Sequence, residues 1–313
     1  MLRPMAGAAI EVRGLRKRYG ALEAVRGIDF EVREGEVFAM LGPNGAGKTT
    51  TVEILEGHRD RDAGEVSVLG SDPKRGGVEL KRRIGIVLQS TGINPYLTVA
   101  ETIEMFRGYY PHPRPLDDVI EVVGLTEKRN DRVRRLSGGQ QRRLDVGIGL
   151  AGDPDLLFLD EPTTGFDPAA RRGAWEMVKN LAALGKTIFL TTHYMDEAQA
   201  LADRVAIIAG GKIIAEGPPS TLTASTAQVS IIRFRLPAKA PALPAALKKL
   251  ASTSAAGVQI STEDPVAHLN ALTGWAISKN VVLEELEVHR PSLEDVYLEL
   301  THAAEHEGAT ADE

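Results

Sequence analysis

The chain has 313 residues, 43% of them hydrophobic and 26% charged, with a formal net charge of −6 and no cysteine. Its length holds one large domain or two smaller ones with ample core. The mild, interspersed acidity excludes a domain-wide basic face for nucleic acid and leaves room only for a local patch such as Arg132, Arg134, Arg135, Arg142 and Arg143. Disulfides and thiolate metal sites are excluded.

Residues 1–8 read as a loose tail, without the apolar core of a secretory signal. No apolar stretch approaches the roughly 18 residues that span a bilayer, so any membrane action draws its spans from other chains. Residues 10–13 and 28–32 alternate apolar and polar and read as half-buried strands. Tyr19 lies in their connection. An aromatic there offers a face to an adenine ring, although by position alone it is a surface turn residue. Residues 36–41 are an apolar run of strand length. They lead into Gly42, Pro43, Asn44, Gly45, Ala46, Gly47, Lys48, Thr49 and Thr50, the pattern G-x-x-x-x-G-K-T. Residues 50–56 hold no breaker and read as a helix. Strand, loop and helix are the context that a phosphate-binding loop requires. The glycines let the backbone curl so that successive N–H groups face an anion. The helix start adds its positive end. Lys48 can reach the β- and γ-phosphates, and the Thr49 hydroxyl can ligate Mg²⁺.

Residues 64–70 read as a strand between glycine turns. Residues 84–89 read as a strand ending on Gln89, whose amide carbonyl can reach a metal ion or its water. Thr98 opens a helix that runs to Gly108, with Glu101 placed for a capping box. Residues 109–115 break it, and 116–123 form a second helix closed by Gly124. The stretch 95–135 interrupts the α/β alternation and reads as a helical insertion. Leu136, Ser137, Gly138, Gly139 and Gln140 then precede a helical run over 141–150, a second helix start with small residues whose N–H groups are free.

Residues 156–159 are apolar and end on Asp160, as in a central parallel strand buried on both faces. Asp160 is placed to hold Mg²⁺, directly or through water. Strand alternation sends Glu161 the other way, to orient or deprotonate a water molecule. A small-residue turn at 163–168 leads into a helix over 169–184. Residues 186–193 read as another buried strand ending on His193, a hydrogen-bonding group for a phosphate or a water. A helix at 195–201 precedes a hairpin of 204–208 and 212–215 across Gly210 and Gly211. Composition shifts at 217–220. Strands at 229–236, 258–260 and 281–288, with helices at 245–250, 265–277 and 292–300, read as a small α+β domain over 220–302. The tail 303–313 is small, polar and acidic and reads as disordered.

In this order the elements resemble the ATP-binding cassette (ABC) ATPase. The resemblance rests on residues 42–50, Gln89, Leu136 to Gln140, residues 156–161, Asp167 and His193. It covers about residues 10–217, and L-S-G-G-Q is its specific part. It implies an α/β fold over 9–219: a P-loop NTPase core with an antiparallel β-subdomain and a helical subdomain at about 95–150, with ATP and Mg²⁺ as cofactors. It implies that Tyr19 stacks on adenine and that Gly42 to Thr50 cradle the phosphates. Thr49, Gln89 and Asp160 would serve Mg²⁺, and Glu161, His193 and Lys48 would carry catalysis. Leu136, Ser137, Gly138, Gly139 and Gln140 would close over nucleotide held by a second cassette in a head-to-tail homodimer, with Asp167 at the interface. Phe166 stands where leucine is more usual in this family, which implies a local packing change.

Residues 161–168, 190–198 and 291–298 are similar to those of drug- and antibiotic-exporter ATPases. That implies a separate membrane permease, met through about 90–115, and a place on the cytoplasmic face of the cell membrane. Export over import comes from the resemblance alone. The alternative is a non-transport ABC ATPase acting on a soluble machine such as the ribosome. One compact cassette, with neither a second cassette nor a long coiled coil, speaks against it. A soluble phosphotransferase is the third class, and L-S-G-G-Q speaks against that.

Overall fold

Apolar runs with no polar alternation become the centre of a parallel sheet, because both of their faces are covered. The computed structural model describes residues 7–87, 92–224, 230–237, 240–254, 257–289 and 293–297. The expected roles of Gln89 and Ser292, the expected tail at 303–313 and residues 1–6 of the tail expected at 1–8 lie outside the described residues, while Ala8 belongs to a strand. The chain divides into two compact units, Met1–Pro219 and Ser220–Glu313.

The first unit begins with β1 (Ala8–Tyr19), β2 (Leu22–Arg33) and β3 (Val37–Leu41), followed by α1 (Lys48–Leu55) and β4 (Ala63–Val68). Next come α2 (Gly77–Arg83), β5 (Ile84–Val87), α3 (Val99–Arg107), α4 (Leu116–Val122) and α5 (Gly138–Leu150). The unit closes with β6 (Leu156–Asp160), α6 (Pro168–Ala183), β7 (Thr187–Thr192), α7 (Met195–Leu201), β8 (Arg204–Ala209) and β9 (Lys212–Gly217). A further helix, α8 (Pro219–Ala224), follows.

A three-stranded antiparallel sheet has the order β2-β1-β4, and a six-stranded sheet has the order β5-β6-β7-β3-β8-β9. All neighbours in the larger sheet are parallel except β8 and β9. Four phenylalanines join the two sheets. The Phe189 ring lies 5.6 Å from Phe38, 6.0 Å from Phe30 and 5.8 Å from Phe158. Phe30 belongs to β2 and stacks on Phe38 of β3 at 5.6 Å. These rings sit in one hydrophobic core with Ile10, Met40, Val52 and Ile208.

Several elements differ from the sequence expectation. Strands β1 and β2 are twelve residues each, because register shifts carry their pairing past the polar stretch out to Tyr19 and Leu22. Tyr19 is therefore the last residue of a strand, not part of a long connection. Helix α2 has no apolar stripe to announce it. Glu79 in its first turn and Lys81, Arg82 and Arg83 in its last match the helix dipole. Helices α1 and α5 start earlier than expected, since their loops feed directly into the first turn. Helix α3 carries the expected capping box of Thr98 and Glu101.

The second unit comprises β10 (Ser230–Arg235), α9 (Ala245–Lys248), β11 (Ala251–Ser254), β12 (Gly257–Thr262), α10 (Pro265–Ser278) and β13 (Glu284–His289). Its antiparallel sheet has the order β11-β12-β10-β13. Ile232, Phe234, Leu247, Val258, Ile260 and Leu272 form its core. Strand β11 was not anticipated from the sequence, and it pairs with β12 through Ala251 and Ile260. Residues 293–297 are helical, with Leu293 and Val296 buried.

Phe189→Ala removes the ring that touches the other three, and the full chain is expected to lose about 3–5 kcal/mol of stability. Urea unfolding followed by circular dichroism measures it, and a loss below about 1 kcal/mol would contradict this account of the core.

Candidate active site

Ligands of open parallel sheets bind beyond the carboxyl ends of the strands, and that is where this chain concentrates its polar groups. Strand β3 ends at Leu41, and the Gly42 N–H donates to the Thr192 carbonyl at 3.3 Å. A side chain at Gly42 would come within 2.3 Å of the Ile208 carbonyl. Gly47 has φ +108°, and a Cβ there would sit 2.6 Å from the Ala24 carbonyl. These two glycines are required by close backbone approach from β8 and β2. Gly45 is different: it needs only its positive φ of 81°. Ala46 fixes the loop by accepting the Gly211 N–H at 3.1 Å.

Lys48, at the start of α1, is only 5% exposed. Its Nζ donates to the Gly42 carbonyl at 2.7 Å and the Pro43 carbonyl at 3.1 Å. Burial pushes the ammonium below its ordinary pKa, against the pull of Glu161 and Asp160. Glu161 Oε1 lies 3.7 Å from Nζ. Pro43, Asn44, Gly45 and Thr49 are exposed, and Thr50 is half-buried.

Asp160 is the last residue of β6, and its Oδ1 accepts the Thr191 hydroxyl at 2.5 Å. Glu161 does not continue the strand. Its φ is +45°, left-handed backbone that a glutamate rarely adopts. The turn, and not the strand pleat, aims its carboxylate, which corrects the expectation from alternation. The Glu161 N–H donates to the Thr191 carbonyl and to Thr191 Oγ1, both at 3.1 Å. The carboxylate accepts the Thr164 hydroxyl at 3.0 Å, and His193 Nδ1 lies 3.1 Å from its other oxygen. Burial pushes Glu161 up. Hydrogen bonding to His193 and Thr164, with the electrostatic pull of His193 and Lys48, outweighs burial and leaves the carboxyl below its ordinary pKa. His193 stands just past β7 and packs on the Tyr194 ring at 4.1 Å.

The structure thus brings Lys48, Asp160, Glu161 and His193 together. Leu136 to Gln140 are held differently. Ser137 caps α5 through a capping box: Gln140 N–H donates to Ser137 Oγ at 3.3 Å and Ser137 N–H to Gln140 Oε1 at 2.9 Å. Leu136 is buried, while Ser137 and Gly138 are exposed. Asp167 is exposed and accepts the Ala170 N–H at 2.8 Å, at the start of α6. A cavity of about 360 Å³ separates the start of α5 from the Glu161 turn, with Phe166 in its wall. Tyr19 is partly exposed, with Lys17 and Arg59 at 5.6 and 5.2 Å from its ring centroid.

Four residues escaped the sequence reading. Thr164 and Thr191 orient the two carboxylates. Arg142 was expected in a surface patch with Arg132, Arg134, Arg135 and Arg143. It is instead 6% exposed and donates to the Asp160 carbonyl at 2.8 Å. Glu56, at the C-cap of α1, is 3% exposed, and burial, then the charges of Asp160 and Glu53, push its carboxyl up to about 8.

The loop fits a polyphosphate. Its glycine-rich backbone folds over a buried ammonium whose contacts are two carbonyls and, beyond hydrogen-bonding distance, one carboxylate. Thr49 and Asp160 offer hard oxygen donors, the chemistry Mg²⁺ takes.

Comparison with known proteins follows the same lines. The ABC transporter family matches residues 25–164, and a C-terminal domain of ABC transporter domain-containing proteins matches residues 230–292. A Nod factor export ATP-binding protein I of Burkholderia orbicola (strain AU 1054) is 38% identical, over 95% of this chain and 98% of its own. A daunorubicin resistance ATP-binding protein of Streptomyces coeruleorubidus is 38% identical over 95% and 97%. A linearmycin resistance ATP-binding protein of Bacillus subtilis (strain 168) is 34% identical over 93% and 98%. Among solved structures, the ATP-binding subunit of an ABC transporter matches with TM-score 0.61 at 25% identity, over 69% of this chain and 92% of that one. A dimeric ATP-binding cassette bound to ADP and Pi shares the fold, with TM-score 0.59 at 24% identity over 67% and 98%.

Glu56 gives a pH test. Between 4.5 and about 8 the folded chain keeps a proton that the unfolded chain releases, so this group lowers stability as pH rises through that window. Glu56→Gln cannot ionise. Relative to the unmodified chain, its melting temperature is expected to gain at least about 4 °C between about pH 5 and about pH 8.5. A difference that stays constant with pH would contradict the assignment.

Proposed function

The chain belongs to the ABC transporter family as an ATP-binding, ATP-hydrolysing subunit, and from that premise we propose that it powers efflux of drug- or antibiotic-like molecules through a separate membrane permease. The observation that carries the reading is the convergence of buried Lys48, ionised Glu161 and His193 on one phosphate loop. The named roles of the relatives, export of Nod factor and resistance to daunorubicin and linearmycin, favour efflux over a soluble machine such as the ribosome.

In this reading Gly42 to Thr50 hold the phosphates of ATP, with Lys48 exchanging its carbonyl partners for phosphate oxygens. Tyr19 presents its ring to the adenine. Mg²⁺, held by Thr49, Asp160 and Gln89, supplies charge neutralisation on the phosphates when bound. Glu161 is ionised at neutral pH, which suits it to accept a proton from water or to orient it. Thr164 and His193 fix that carboxylate from either side. Ser137, Gly138 and Gly139 act on nucleotide held by a second copy of the chain, with Asp167 at the interface. The permease meets residues 90–115, where Tyr96, Met105 and Tyr109 stand exposed. Among the described residues no helix is long and apolar enough to cross a membrane. The permease then holds this subunit at the cytoplasmic face of the cell membrane.

The cycle is a population shift. ATP binds the closed pair more tightly than the open one, closure drives the permease, and hydrolysis removes the preference. Two variants separate binding from chemistry. Lys48→Ala is expected to weaken ATP binding at least about a hundredfold. Glu161→Gln is expected to keep affinity within about threefold, lose at least about a hundredfold in turnover, and accumulate an ATP-bound dimer on size-exclusion chromatography with light scattering. Turnover of Glu161→Gln at the unmodified rate would overturn the catalytic assignment.

A further inference from the structure

Glu161 sits in strained backbone at the edge of the site, and strained residues persist where their surroundings over-determine them. Two elements bracket it. From β7, Thr191 takes the Glu161 N–H with both its carbonyl and its hydroxyl. From α5, Arg142 donates through Nη2 to the Asp160 carbonyl at 2.8 Å and through Nε to the Pro162 carbonyl at 3.3 Å. One guanidinium therefore holds the carbonyls of the two residues that flank Glu161. Its planar fork suits that task. Asp145, one turn further along α5, lies 3.9 Å from the same guanidinium and offsets its charge.

Helix α5 is also the helix that Ser137 caps. The exposed start of α5 and the grip on Glu161 are thus ends of one short rigid segment. We infer that Arg142 is a positioning residue that links this helix start to Glu161, so that nucleotide engaged by Ser137 in a second copy sets the chain's own hydrolytic carboxylate. This rests on the function proposed above. A displacement of the helix start would carry the guanidinium with it, and the Asp160 and Pro162 carbonyls would follow. The coupling runs through a packed, hydrogen-bonded element and needs no longer pathway.

The test uses the purified full chain. Arg142→Gln is expected to lower kcat at least about tenfold while affinity for a fluorescent ATP analogue stays within about twofold. Arg142→Lys keeps a buried cation with at least one donor, and is expected to recover at least about a third of the unmodified kcat. In a double-mutant cycle of Ser137→Ala with Arg142→Gln, the combined loss in kcat is expected to be at least about threefold smaller than the product of the single losses. Multiplicative losses, an unchanged kcat in Arg142→Gln, or equal loss of affinity and melting temperature in both Arg142 variants would each overturn the link. If Glu161→Gln also stalls hydrolysis, only this inference fails. If Glu161→Gln turns over normally, the proposed function fails and this inference with it.

Discussion

The Lys48 ammonium is withdrawn from water, and a buried charge must be answered by partners. Its neighbours supply the answer in layers. The Gly42 and Pro43 carbonyls take its protons, and Glu161 lies just beyond hydrogen-bonding distance. Those carbonyls can reach Nζ only because the loop folds back tightly on α1. The loop can do so only because Gly42 and Gly47 tolerate the backbone of Ile208 and Ala24 against them. The parallel order β6-β7-β3-β8 brings the remaining groups within range, since each of those strands delivers its end to the same edge. A polyphosphate is the ligand that completes this arrangement without adding an uncompensated charge.

Opposite Lys48, Glu161 is fixed by geometry rather than by its own preference. Its left-handed backbone is held from β7 by Thr191, while Thr164 and His193 hold its carboxylate. Asp160, one residue earlier, is tied to the same Thr191 hydroxyl. A single threonine therefore sets the relative placement of the two acidic groups, which the proposed mechanism assigns to metal binding and to water. Positions fixed in this way cost no reorganisation at the moment of reaction.

Much of this was legible in the sequence. Strands β3, β6 and β7 are built on short apolar runs, and β6 and β7 close on polar residues, so their burial and their functional ends could be read. The capping box at Thr98 was legible because a cap is a local signal. The phosphate loop was legible because only glycine fits where the chain crowds it. The remainder depends on tertiary placement. Arg142 stands among other arginines, and nothing local marks it as the one that turns inward. Glu161 follows a strand, so alternation describes its direction until the backbone turns left-handed. The raised pKa of Glu56 comes from packing beside β6, with Asp160 close enough to disfavour its charge. Helix α2 and strand β11 are short and lack a periodic apolar stripe, so their neighbours, not their sequences, decide their conformation.

In the proposed pair each active site is shared, with Lys48 from one copy and Ser137 from the other. Complementation by mixing tests it most directly. A Lys48→Ala chain and a Ser137→Arg chain should each be inactive alone. Mixed in equal amounts, they should regain up to about a quarter of the unmodified ATPase rate, because half of the pairs then hold one intact composite site. A mixture no more active than its components, while still forming ATP-dependent pairs, would contradict the account.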